Sequence, residues 1–378
     1  MSLANEQISA FLQEQIDAGD FPSAVYLVAE KGEIVFQHAL GYAVVEPEKI
    51  PARLDTIYDL ASLTKPLVTG LSFAISRESG SLDAEFPVYF RDIGQTYREK
   101  WNITFENLLT HTSGMPAWDP LYIHGKRPRR RLAEIPFETT IGERVIYSDV
   151  NFMLLGIALD KRRNGLAETG EALIFRPLGM KDTMFNPPES LRGRIAANEM
   201  GNGYERQMCI ELGYLNDAGE QKNPLADAGG SSFRTDVIWG EVHDGNAYFM
   251  GGVAGHAGLF STAEEVFEIA LQFLPNYTQL LKPETCKLFS TNFTPGMNEN
   301  RSYAFQLAST KDSSAGSRMS PESFGHTGFT GTSLWIDPVK DRIFVLLTNR
   351  THNHSLPFVN LNSVRRRFHD LSIDLLER

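Results

Sequence analysis

The chain has 378 residues, with 36 Lys and Arg against 47 Asp and Glu, for a formal net charge of −11. Hydrophobic residues make up 42% and charged residues 22%, a globular composition that excludes disorder, collagen-like sequence and coiled coil. An acidic chain lacks the field that draws proteins to nucleic acid or anionic membranes, so neither is expected as a partner. In chain order, Ile8, Phe11, Leu12 and Ile16 recur at helical spacing up to Gly19 and predict an opening helix. Two β-rich runs follow, from Ser23 and from Glu33, parted by the turn signal Lys31-Gly32; they predict a hairpin. From 67 to 178 helix-like stretches alternate with Gly- and Pro-rich loops, and 193–252 is polar and irregular. A second hairpin is expected around Pro338 to Asp341, and a last amphipathic helix over 358–376.

The two ends therefore pattern alike and the middle differs. The economical topology is an α+β sandwich: one antiparallel sheet built from both termini, flanked by helices, with a mostly helical subdomain inserted. The division expected is 1–66 plus 250–378 for the sheet-and-helix part and 67–249 for the helical insert and loops, all within one catalytic domain. No run of about 20 apolar residues predicts a membrane span. The N-terminus has no basic region followed by an apolar one, so a cytoplasmic location is expected, or export if a leader has been removed. The two cysteines, Cys209 and Cys286, cannot build a disulfide framework or a four-thiolate metal site and are expected as reduced, partly buried thiols.

Three short segments carry candidate chemistry. Ser62-Leu-Thr-Lys65 is the only S-x-x-K in the chain. Pro66 fits only the first turn of a helix, which puts Ser62 at a helix start and Lys65 one turn on, on the same face. An amine there can take the hydroxyl proton if burial or a nearby cation lowers its pKa from about 10.4. Read alone, the segment is more often a Ser cap with a surface lysine. Tyr147-Ser148-Asp149 precedes a second helical pattern over 151–160; it reads as a possible tyrosinate base, or as a buried tyrosine before an Asp cap. His326-Thr327-Gly328 lies among Gly325, Gly328 and Gly331 at a strand entrance, where a ligand could approach the backbone closely.

In this order and near these separations, the three segments resemble the three motifs of serine β-lactamase-like and penicillin-binding-protein-like hydrolases. The branch is that of class C β-lactamases, D-alanyl-D-alanine carboxypeptidases, D-aminopeptidases and family VIII esterases. Similar stretches are Leu108-Leu-Thr-His-Thr-Ser-Gly-Met-Pro116 and Gly251-Gly-Val-Ala-Gly-His-Ala-Gly-Leu-Phe-Ser261, and the likeness spans about 22–348. The resemblance implies an acyl-enzyme on Ser62, proton transfer shared by Lys65 and Tyr147, and an oxyanion hole from the backbone N–H groups of Ser62 and Phe329. It implies substrate contacts from Asp149, His326, Thr327 and Gly328, a small ester, amide or peptide substrate, and no metal or organic cofactor.

Two departures bear on the substrate. Asp149 stands where class C β-lactamases carry Asn, and a carboxylate accepts but cannot donate. His326 stands where they carry Lys, and histidine is mostly neutral above its usual pKa near 6.5. Both changes weaken recognition of a substrate carboxylate. The expectation is an esterase or amidase with little β-lactamase activity. The alternatives are a D-alanyl-D-alanine carboxypeptidase or D-aminopeptidase, or a silent binding protein on the same fold. The basic run 126–131 reads as a solvated loop or, lying between the first and second motifs, as a cleft rim that attracts an acidic substrate; Arg365-Arg366-Arg367 reads as a solvated face. His243, Asp244 and His256 match no zinc spacing and read as structural.

Overall fold

The computed structural model describes residues 3–82, 102–124, 128–160, 165–220 and 233–378. The seven-stranded sheet is antiparallel and comes from both ends of the chain. Its strands are β1 (Ser23–Glu30), β2 (Glu33–Val44) and β3 (Ile50–Pro51) from one end. A smaller three-stranded sheet holds β4 (Tyr58–Asp59), β5 (Met184–Phe185) and β6 (Leu259–Ser261). From the other end come β7 (Gln306–Leu307), β8 (Phe324–Thr327), β9 (Ser333–Asp337) and β10 (Arg342–Thr348). The spatial order is β3-β2-β1-β10-β9-β8-β7, so the termini meet where β1 pairs with β10.

Alternation along β1 explains the layers. Val25, Leu27 and Ala29 face the large core shared with the helical part, together with Ile343, Val345 and Leu347 of β10. Ala24, Tyr26 and Val28 point the other way, with Phe344 and Leu346, into a second core. That second core is closed by the N-terminal helix (Leu3–Ala18) through Ile8 and Leu12, and by the C-terminal helix (Asn362–Leu376) through Phe368 and Ile373. A strand buried on both faces has no solvent side, which is why β1 reads as a nearly unbroken apolar run. Each such Val, Leu or Phe contributes about 1.5–3 kcal/mol when buried.

Both expected hairpins and both terminal helices form, with boundary differences that have local causes. The last helix starts at Asn362 rather than near 358, because the chain just after Pro357 turns to place Phe358 against Tyr204 and Phe329. The helix expected from 151 begins two residues earlier, at Asp149. The run after Ser62 is not one α-helix. A 3₁₀ turn (Ala61–Leu63) leads to a wider π-helical stretch (Lys65–Gly70) before the α-helix Leu71–Glu78. Pro66 sits at the start of the wide stretch, where its missing N–H removes no needed bond. Both cysteines are free and buried, as expected. Among the described residues no helix is long and apolar enough to cross a membrane.

Candidate active site

The turn that carries Ser62 is held in an unusual backbone shape. Ala61 has φ 47°, a left-handed conformation that costs an alanine roughly 1 kcal/mol or more. Buried Asp59 stabilises it: its carboxylate accepts the N–H of Ala61 at 2.9 Å and that of His243 at 2.7 Å. Burial raises the Asp59 pKa, and the two N–H bonds oppose the rise.

Lys65 is fully buried one turn along. Its Nζ donates to Ser62 Oγ at 2.8 Å and to the His256 carbonyl at 3.3 Å, and it lies 2.7 Å from Asp149 Oδ1. Burial opposes the ammonium, but the Asp149 carboxylate and Tyr147 outweigh it and hold the Lys65 pKa above its ordinary value. The condition under which Lys65 would rest as a neutral amine is therefore not met: Asp149, in the place of an amide, supplies the counter-charge. The resting contact is therefore an ammonium donating to the serine oxygen.

Tyr147 stands between two cations. Lys65 Nζ lies 4.9 Å from its ring centre and the Arg301 guanidinium 5.4 Å. The segment before Pro116 fixes it from behind. The His111 carbonyl accepts the N–H of Ile146, and His111 Nδ1 accepts the N–H of Ser148 at 3.0 Å. The His111 ring also packs 4.7 Å from that of Tyr147. Burial, then the charges of Arg301 and Lys65, push the His111 pKa well below its usual value, so the ring is neutral. His111 thus brackets Tyr147 on both sides along the chain.

The opposite wall is β8 and the loop after it. β7 pairs only with Phe324 and Gly325, which leaves His326 and Thr327 at an open edge. His326 is buried and its ring lies 5.6 Å from Tyr147. Burial first, then Lys65 and Arg301, hold it neutral, and its Nδ1 donates to the Thr327 carbonyl at 2.9 Å. Gly328 has to be glycine: a Cβ there would lie 2.5 Å from the Leu60 carbonyl oxygen and 2.0 Å from Thr332 Oγ1. That absence of a side chain lets the loop close onto the Ser62 turn. Thr330 and Thr332 donate across to the Asp59 and Leu60 carbonyls at 2.8 and 2.9 Å.

These walls enclose a cleft of about 710 Å³ lined by Ser62, Tyr147, Asp149 and the run His326 to Phe329. Lys65 lies beneath its floor. Every site residue expected from the sequence is thus brought to one place.

Several lining residues were not expected. Arg301, buried and paired with Glu299 at 2.6 Å, puts a cation beside neutral His326. Trp118 and Tyr204 add aromatic surface, and Asp244 and Glu205 add acid. Glu205 is pushed up to about 7 by burial and by the charge of Asp244. Asp244 is itself held below the usual carboxylate range: burial works against this, but His256, 2.9 Å away, outweighs it. His243 pairs with Glu199 at 2.8 Å and stacks on Phe329. Asp149, Asp244 and His256 each bring one possible metal-ligand atom within 4.8 Å of the others. The Lys65 ammonium on Asp149 and the His256 bond to Asp244 already meet that charge.

One arginine of each basic run departs from a solvated face. Residues 125–127 lie outside the described residues, but Arg131 makes a two-bond pair with buried Asp119 at 2.7 and 3.1 Å. Arg365 is buried, not solvated. It donates to the carbonyls of Gly328 and Thr332 at 3.3 and 3.1 Å. Burial, with Arg350 nearby, lowers its pKa to about 9, still a cation at neutral pH.

An antiparallel sheet from both termini, a helical part over one face and a Ser–Lys–Tyr cleft between them define a serine hydrolase of the β-lactamase/transpeptidase-like fold, acting on ester or amide bonds. The chain belongs to the beta-lactamase family, whose profile matches residues 8–364. A protein of Escherichia coli (strain K12) named putative D-alanyl-D-alanine carboxypeptidase is 31% identical, over 92% of this chain and 82% of its own length. The octameric penicillin-binding protein homologue from Pyrococcus abyssi superposes with a TM-score of 0.70 at 18% identity, covering 98% of this chain and 77% of its own. A class C beta-lactamase from Rhodobacter sphaeroides superposes with a TM-score of 0.69 at 18% identity, covering 99% and 100%.

Proposed function

We propose that Ser62 attacks the carbonyl of a small ester, amide or short peptide and that water then hydrolyses the acyl-enzyme. The observation that carries this reading is the 2.8 Å contact of Lys65 Nζ with Ser62 Oγ, with Asp149 on the same nitrogen. As Ser62 attacks, the Lys65 ammonium hands one proton to the Asp149 carboxylate 2.7 Å away and takes the Ser62 proton in its place. The N–H groups of Ser62 and Phe329 receive the oxyanion. Asp149, His326, Thr327 and Gly328 form the substrate walls. The sheet part, 1–66 with 250–378, and the insert, 67–249, act as two lobes meeting at Ser62.

With a carboxylate at 149 and a neutral ring at 326, β-lactams are poor substrates in this reading. Short-chain aryl esters, cephalosporins and D-amino-acid amides, assayed on wild type and on Ser62→Ala, test it. Aryl ester kcat/KM should exceed that for cephalosporins, and the alanine variant should be inactive on all three. The opposite order for wild type removes the specificity reading.

A second reading, carboxypeptidase action on D-alanyl peptides, is favoured by Arg301 and fits the name of the E. coli relative. Arg301 supplies beside His326 the cation that His326 itself lacks. Arg301→Gln should then raise KM about 30-fold or more for a peptide with a free C-terminal carboxylate. KM for neutral esters should stay within about twofold. An equal effect on both substrates eliminates Arg301 as a carboxylate contact.

A further inference from the structure

Each of the two N–H groups assigned to the oxyanion hole belongs to a peptide unit whose carbonyl points the other way. Both carbonyls are met from behind by a side chain. The Ser62 N–H shares its peptide with the Ala61 carbonyl, which accepts the hydroxyl of buried Thr64 at 2.7 Å. The Phe329 N–H shares its peptide with the Gly328 carbonyl, which accepts Arg365 Nη2 at 3.3 Å and the Gly331 N–H at 3.1 Å. Arg350 stands on the next carbonyl, its Nε 2.7 Å from that of Phe329. Among the described residues neither guanidinium has a carboxylate partner; both bond backbone carbonyls around this loop.

We propose that Arg365 and Thr64 are positioning residues that polarise the two oxyanion-hole amides from behind, with Arg365 adding an uncompensated buried positive charge. The inference rests on the reading of Ser62 and Phe329 as the oxyanion donors. A carbonyl that accepts a hydrogen bond makes the N–H of the same peptide a stronger donor, and a charged donor strengthens this further. The effect grows as negative charge develops on the substrate oxygen, so it acts on the transition state rather than on substrate binding. Arg365 also fixes the loop: its Nη2 bonds the Thr332 carbonyl at 3.1 Å, the same oxygen that accepts the Gly328 N–H at 2.8 Å and closes the turn.

The test uses the full chain with p-nitrophenyl acetate as substrate and phenylboronic acid as the tetrahedral probe, whose adduct on Ser62 sets an oxygen in the hole. Arg365→Gln should lower kcat and phenylboronic acid affinity together, each by about 10- to 100-fold, with KM within about threefold. Arg365→Lys, which keeps the charge, should recover most of both. A glutamine variant with kcat and boronate affinity near wild type overturns the proposal. So does one in which kcat falls while boronate affinity is unchanged. Should Arg365→Gln not fold, Thr64→Val against Thr64→Ser decides it by the same two readouts: valine should lose both and serine retain them, and equal values for the pair overturn it. Phenylboronic acid that binds Ser62→Ala as tightly as wild type instead removes the oxyanion assignment, and the inference with it.

Discussion

Replacing Ser62 by alanine is expected to lower kcat for ester hydrolysis by at least about 10⁴-fold, leaving only what the oxyanion donors contribute on their own. The reason is specific to the site. Ser62 Oγ accepts a bond from the buried Lys65 nitrogen at 2.8 Å, and the Ala61 turn that aims it is stabilised by Asp59 and by Thr330 and Thr332 from the opposite wall. The fold should tolerate the change, because it removes one oxygen from a half-buried position and leaves Lys65 its bond to the His256 carbonyl and its pair with Asp149. Steady-state kinetics on the purified variant, with a thermal melt to establish folding, gives the number.

Replacing Lys65 by methionine is expected to be nearly as severe for activity, about 10³-fold in kcat, and it should also destabilise the protein. Methionine fills the buried space but leaves Asp149 without its cation. Asp149 keeps some access to water, its side chain being 19% exposed, so the cost is about 2 kcal/mol rather than that of a fully buried orphan charge. The pH sign follows from the direction of the shift. The Lys65 pKa is raised above 10.5 in the folded protein, so the pair's contribution is complete below that value and is lost as pH rises through the higher folded value. Wild type should therefore lose stability on the alkaline side more steeply than the methionine variant. Asp149→Asn removes the main cause of the raised pKa while burial remains. The alkaline limb of kcat should move to lower pH in that variant, and an unmoved limb contradicts the pairing.

Much of this arrangement is legible in the chain because it rests on local rules. Lys31-Gly32 announces the first hairpin, Pro66 restricts where a helix can begin, and Gly328 marks a place where two backbones meet. Ser62, Lys65, Tyr147 and His326 stand out because their chemistry and spacing are unusual together. What was not legible depends on packing across the chain. Arg301 lies in a polar stretch with no motif, and only the approach of that stretch to Tyr147 gives it a role. Arg365 reads as one of three exposed arginines because amphipathic spacing does not reveal that this side of the C-terminal helix covers the loop after β8. The direction of the Lys65 shift could not be read from the chain for a related reason. Burial and the carboxylate at 149 act in opposite directions, and only the 2.7 Å separation decides which wins. Asp244, Glu205 and His243 enter the cleft through contacts that no periodicity encodes; the one signal present was the adjacency of His243 and Asp244 in an irregular segment.

The most direct test of the central claim is to treat the protein with a fluorophosphonate and locate the adduct by peptide mass spectrometry. The account predicts a single modification on the peptide carrying Ser62, absent from Ser62→Ala and much slowed in Lys65→Met. A modification on another residue, or an active enzyme that takes up no label, would contradict it.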